Sequence, residues 1–134
     1  MGCEECGFEY DLVKAPNAAS SIVTSVAEFA AILSDSRADV RTRREPTQWS
    51  PLEYGCHLRD VLLVQRERVL TARRRDRPSF EPMGRDERVD HDGYAEQRPH
   101  DVARQLTVAA QLLAHVLGRL SPDDWGRSVM YTYP

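Results

Sequence analysis

Hydrophobic residues recur at helical spacing in three long stretches of the chain, separated by segments in which polar residues, prolines and glycines break the pattern. In the first, Ile22, Val23, Val26, Phe29, Ala30 and Leu33 fall three or four positions apart. This is the pattern of a helix with one buried face, and it predicts a helix over 18–36. The polar stretch 37–48 ends with Glu45 before Pro46, a context that disfavours helical geometry, and reads as a connecting loop. Ser50, Pro51 and Glu53 then supply an N-cap, a proline at the first helical position and a capping-box glutamate, so a second helix is expected over 51–74. Prolines and glycines dominate the next segment, with a short helical turn expected at 86–94. A third long helix, capped by His100 or Asp101, carries Val102, Leu106, Ala109, Ala110, Leu113, Val116, Leu117 and Leu120 on one face. Gly118 and the pair Ser121-Pro122 mark its end, and the remaining residues read as extended.

The second helix is the least simple of the three. At ~100° per residue, Tyr54, Leu58, Val61, Leu62, Gln65 and Val69 gather on one side, with His57 and Val64 at its edge. Leu52, Cys56, Leu63 and Leu70 form another stripe nearly opposite. Two apolar stripes in water would forgo burial of roughly 1.5–3 kcal/mol per large side chain, so this helix is expected to be covered on both sides. Either the N-terminal segment or a second copy of the chain would supply the cover, and a homodimer is the commonest arrangement of the latter kind. Three amphipathic helices without a convincing sheet make the expected class an all-α bundle.

Length and composition narrow this picture without redirecting it. The chain has 134 residues and a formal net charge of -3, which suits one domain and gives no overall attraction to nucleic acid or to an anionic membrane. Local basic runs at Arg41, Arg43, Arg44 and 73–75 sit at helix ends, where cations are favoured for other reasons; neither a nucleic acid nor a membrane is an expected partner. The N-terminus lacks the pattern of a secretory signal, and no apolar run is read as approaching the ~20 residues of a membrane span. A cytoplasmic location is expected.

The three cysteines are too few and too odd in number for a secreted disulfide framework. Cys3 and Cys6 are spaced as in a zinc knuckle, with Gly7 following. A closed zinc site needs four ligands, and Cys56 plus a histidine would complete a set in which Cys3, Cys6 and Cys56 converge. The alternatives are a redox dithiol, for which no βαβ setting is present, and a tail at 1–17 with free thiols. His57 likewise has two readings: a hydrogen-bonded histidine at the core boundary, or a metal ligand.

Trp49, Ser50 and Glu53 followed by His57, Leu58, Asp60 and Val61 resemble the second helix of the DinB-like superfamily, and the late segment 121–125 fits the same pattern. The resemblance covers 18–134. It implies an up-down-down-up four-helix bundle that binds a divalent ion such as zinc or nickel through a histidine on the second helix and an H-x-x-x-H pair on the last. It also implies kinship with transferases, hydrolases or isomerases that use low-molecular-weight thiols such as bacillithiol or mycothiol and act on small molecules. By that carry-over His57 is the first metal ligand. The sequence contains no H-x-x-x-H, and His91, His100 and His115 stand at no matching position, so the bundle is expected to lack its last helix. The competing expectation is a non-catalytic, dimeric helical protein with a structural or regulatory role.

Overall fold

The computed structural model describes residues 2–132. Three long helices carry the fold: α1 (Ala18–Ser34), α2 (Pro51–Arg74) and α4 (Pro99–Leu117). Between the last two lie strand β1 (Ser79–Phe80) and helix α3 (Arg85–His91), and after them a single helical turn α5 (Pro122–Trp125) and strand β2 (Met130–Tyr131). The protein is an all-α bundle, and β1 and β2 pair in parallel only over Ser79–Met130 and Phe80–Tyr131. A fourth long helix is not present among the described residues, and the last two positions of the expected domain, 133 and 134, lie outside them.

Helix α4 is the centre of the bundle. Its Val102, Ala103, Leu106, Ala109, Ala110, Leu113 and Val116 are buried, a continuous stripe at helical spacing that packs against α1 on one side and α2 on the other. Helices α1 and α2 approach closely where Gly55 faces Leu33 and Phe29; a Cβ there would stand 2.7 Å from Leu33 Cδ1. Because the C-terminal part of α1 and the start of α4, at Val102, both meet the start of α2 at Gly55, α1 runs opposite to α2 and α4. The long helices therefore run up, down, down, and the parallel pair is joined by the crossover through α3. Away from Gly55, α1 and α2 leave a groove of about 360 Å³ between Ile22, Val26 and Phe29 on one side and Leu58 and Leu62 on the other.

Local signals place the helix starts. Ser50 Oγ accepts from Glu53 N–H and the Glu53 carboxylate accepts from Ser50 N–H, the reciprocal bonds of a capping box. Helix α4 begins at Pro99 with Arg98 as its cap residue, two or three positions before the expected cap at His100 or Asp101, because proline has no N–H to leave orphaned at the first position. Ser121-Pro122 does more than end α4: Ser121 and Asp124 form a second capping box and open α5.

Two expectations are corrected. The buried face of α2 is Leu52, Gly55, Cys56, Arg59 and Leu62, while Tyr54 is 46% exposed. The inner face thus joins Leu52 and Cys56 of one expected stripe to Leu62 of the other, while Leu63 is 40% exposed, because α4 arrives between the two. The segment Ala15–Ser34 also reaches 20 residues with a mean hydropathy of 1.2, enough by length and composition to be a candidate membrane span. In the bundle it presents Val26, Ala30 and Leu33 to the core, while Val23 and Ile32 are exposed.

Candidate functional site

The loop between α1 and α2 positions His57. Leu52 N–H donates to Val40 O at 2.8 Å, and the Arg43 guanidinium grips the Glu53 carboxylate with Nε at 2.9 Å from Oε2 and Nη2 at 2.9 Å from Oε1. Burial pushes the Glu53 carboxyl up, but the Arg43 and Ser50 bonds outweigh it and hold the group below its ordinary range. With both ends of the loop tied, Trp49 is set against the first turns of α2. Its ring meets the His57 imidazole edge-on at 5.2 Å and Tyr54 at 5.3 Å, and Arg85 lies 6.0 Å over it.

His57 is half-buried at the core boundary, and its Nδ1 is buried without a hydrogen-bond partner. Burial is the main cause that lowers its pKa below the ordinary 6.5, with Arg85 and Arg88 acting in the same direction against Asp60 and Asp86. Apart from Asp60 of its own helix, the charges around it come from α3, so His57 faces Trp49 and α3. The cleft between the second and third long helices lies on another side of α2. A neutral imidazole with a free nitrogen can accept a hydrogen bond or coordinate an ion.

The side of α2 facing α4 holds a buried polar network that the periodicity did not single out. Arg59, its side chain 9% exposed, donates from Nε to Asp60 Oδ1 at 2.9 Å, from Nη1 to Gln97 Oε1 at 2.6 Å and Gln105 Oε1 at 2.8 Å, and from Nη2 to Asp92 Oδ2 at 3.1 Å. The second Asp60 oxygen accepts from Tyr94 Oη and, at 3.3 Å, from Arg88 Nη1. Burial and the Asp60 bond push the Tyr94 phenol well above its ordinary value, so it stays a donor. Arg59 lies three positions after Cys56 and three before Leu62, a spacing that puts it on the same face as those core residues. That spacing was the available signal. Arg59, Asp92, Gln97 and Gln105 line a cleft of about 620 Å³ whose apolar wall includes Leu63 and Val108.

The other expected ligands are not brought together. Cys56 is fully buried, with Sγ 3.5 Å from Gln97 Oε1 and 3.8 Å from Tyr94 O. Burial raises its thiol pKa to about 11, so it remains protonated and is a poor nucleophile. Cys3 and Cys6 sit in a surface turn of the tail. The expected convergence of Cys3, Cys6 and Cys56 is not seen among the described residues: no such group gathers, and Tyr94 O and Gln97 Oε1 are what face the Cys56 sulfur. His91, His100 and His115 are exposed and apart from His57. Among the described residues no group of three or more His, Cys, Asp or Glu side chains is arranged to hold a metal ion. Of the basic runs, Arg41 donates to Ala95 O and Gln97 O, Arg43 holds Glu53, and Arg73 pairs with Asp124.

A family model described as the DinB superfamily matches residues 22–134. No curated protein and no solved structure matches the chain.

Proposed function

The chain belongs to the DinB superfamily, and from that premise we propose that it is a small-molecule enzyme of the superfamily's metal-dependent kind, a thiol-linked transferase or hydrolase with His57 at its reacting centre. The observation that carries this reading is the buried, unpartnered Nδ1 of His57, kept neutral and held in place by Trp49. A polar nitrogen left without a partner is costly to bury, and a role in contacting an ion or substrate accounts for its retention. One imidazole does not by itself fit a divalent ion, which takes at least three protein ligands in a catalytic zinc site. In this reading the remaining ligands come from outside residues 2–132 or from a partner, and His57 contributes a lone pair at a fixed position.

The test measures zinc and nickel affinity, and transfer of a low-molecular-weight thiol to an electrophilic small molecule, for the full-length protein and its His57→Ala variant. Cys3 and Cys6 are replaced by serine in both, so that tail thiols do not contribute. Loss of a metal-site interaction typically lowers affinity or activity about 10–100-fold, and at least that loss is expected on His57→Ala. Equal affinity and equal turnover in the two proteins would sink the reading.

A second reading, a non-catalytic dimeric helical protein, is favoured by the cleft beside Arg59. There the guanidinium is bonded to Asp60, Asp92, Gln97 and Gln105, and the neighbouring Cys56 thiol is protonated, an arrangement suited to holding elements together rather than to attacking a substrate. Unchanged function in cells carrying His57→Ala, with function lost on Arg59→Ala, would favour it.

A further inference from the structure

The N-terminal tail is a small folded unit. Gly2 and Glu9 form an antiparallel bridge, Cys3 N–H donates to Phe8 O at 2.7 Å, and Gly7 N–H donates to Cys3 O at 2.9 Å. Gly7 takes the left-handed conformation, φ 70°, that closes the turn. The turn holds Cys3 and Cys6 in one loop three positions apart, closed by the Gly7 N–H on Cys3 O. Two soft thiol ligands in one such turn form half of the donor set of a tetrahedral thiolate site.

Nothing else in the chain explains why this unit is ordered. Among the described residues no hydrogen bond or ion pair ties residues 2–13 to residues beyond Lys14. Phe8 and Tyr10, in edge-to-face contact at 5.2 Å, are 59% and 61% exposed, and Val13 is 88% exposed. An isolated two-stranded hairpin is marginal at best in water, and units too small for a core of their own use a metal or a partner. Cys56 cannot complete the site from its buried position, and no third ligand from the described residues gathers there.

We infer that Cys3 and Cys6 bind zinc jointly with Cys3 and Cys6 of a second copy of this chain, giving one tetrathiolate ion per dimer with the two hairpins packed across a two-fold axis. An identical pair from a second copy supplies the missing two soft ligands in matching geometry, and the exposed Phe8 and Tyr10 rings are the apolar surface that the facing hairpins bury. The reaction is Zn²⁺ plus four thiols giving the tetrathiolate and four released protons, with no change in oxidation state. The tetrathiolate carries a net charge of −2 beside Glu4, Glu5, Glu9 and Asp11 of each tail, so only the zinc–sulfur bonds hold the two acidic tails together against their repulsion. The association is therefore metal-dependent.

The test uses the full-length chain under a phosphine reductant, with Zn²⁺, and with Co²⁺ as a spectroscopic stand-in. The expected results are half an equivalent of thiolate-bound cobalt per chain, a doubling of mass in sedimentation on metal addition, reversal of both by chelator, and a cobalt spectrum of tetrahedral, all-thiolate type. Cys3→Ser and Cys6→Ser should each abolish the metal-dependent doubling, while Cys56→Ala and His57→Ala should retain it. Retention in the His57 variant separates this site from the proposed reacting centre. Thiolate-bound metal at one per chain without a mass change, an all-thiolate cobalt spectrum or metal-dependent doubling that persists in the Cys3→Ser/Cys6→Ser double variant, or no thiolate-bound metal at all would overturn the inference.

Discussion

The Arg59 guanidinium and the Asp60 carboxylate are buried side by side, whereas the Arg43 partner of Glu53 has a side chain 39% exposed. Removing one member of a buried ion pair leaves the other uncompensated at a cost of about 3–5 kcal/mol. Glu53 is itself buried, its side chain 4% exposed, but it keeps the Ser50 N–H bond when Arg43 is removed, whereas Arg59 leaves Asp60, Asp92, Gln97 and Gln105 each short of a bond. Arg59→Met is expected to lower unfolding free energy in urea by more than Arg43→Met does; a smaller loss would show that the Arg59 network contributes little. His57 sets a pH dependence with a definite sign. Its folded pKa lies below the ordinary 6.5 through burial and then Arg85, so the unfolded chain takes up the proton first. The contribution of the neutral imidazole is complete above that value and is lost as pH falls through the folded one. Unfolding midpoints measured from about pH 7 to about pH 5 should therefore fall more steeply for the natural protein than for His57→Gln. Parallel curves would show that the imidazole is not held neutral.

Two elements depend on a close approach. Gly55 lets α1, α2 and α4 meet at one end of the bundle, with Leu33 Cδ1 at 2.7 Å and Phe29 Cε1 at 3.2 Å from an added Cβ. Alanine gains about 1 kcal/mol over glycine in helix propensity, so an unstrained site would be stabilised by Gly55→Ala. Leu33 is 2% exposed and has no room to give way, and overpacking costs about 1–3 kcal/mol. A net fall in melting temperature is expected for Gly55→Ala, and a rise would mean that α1 shifts freely. At the other end, Arg68 lies over both Phe80 and Tyr131, and Met130 N–H donates to Pro78 O at 2.8 Å. These contacts bring the segment after α5 back against the end of α2.

For the molecule as a whole, stability resides around α4 and not in the tail. Leu106 is fully buried at the middle of the stripe that faces both α1 and α2, and Leu106→Ala should cost about 2–5 kcal/mol. Deleting residues 2–13, which among the described residues make no polar bond to anything beyond Lys14, should leave metal-free stability unchanged within about 0.5 kcal/mol. A large loss on deletion, seen by urea denaturation in chelator, would show that the tail packs as part of the core.

The local features of this fold were legible in the sequence because each depends on residues a few positions apart. The start of α2 follows from Ser50, Pro51 and Glu53, the inner face of α4 from its apolar period, and membership of the superfamily from the Trp49 to Val61 pattern. Which positions of α2 turned inward was not legible, since both stripes were apolar and the buried face takes Leu52 and Cys56 from one and Leu62 from the other; only the arrival of α4 decided it. The same holds for Arg59 and Asp60. Two adjacent charged residues on a helix read as solvated until Tyr94, Gln97 and Asp92 close over them from a crossover far along the chain. That crossover also separates Cys56 from the cysteines of the tail, and it sets α3 opposite His57. Sequence neighbours determine where a helix begins and which residues share its faces; tertiary packing decides which face is buried, because burial depends on which other element comes to rest there.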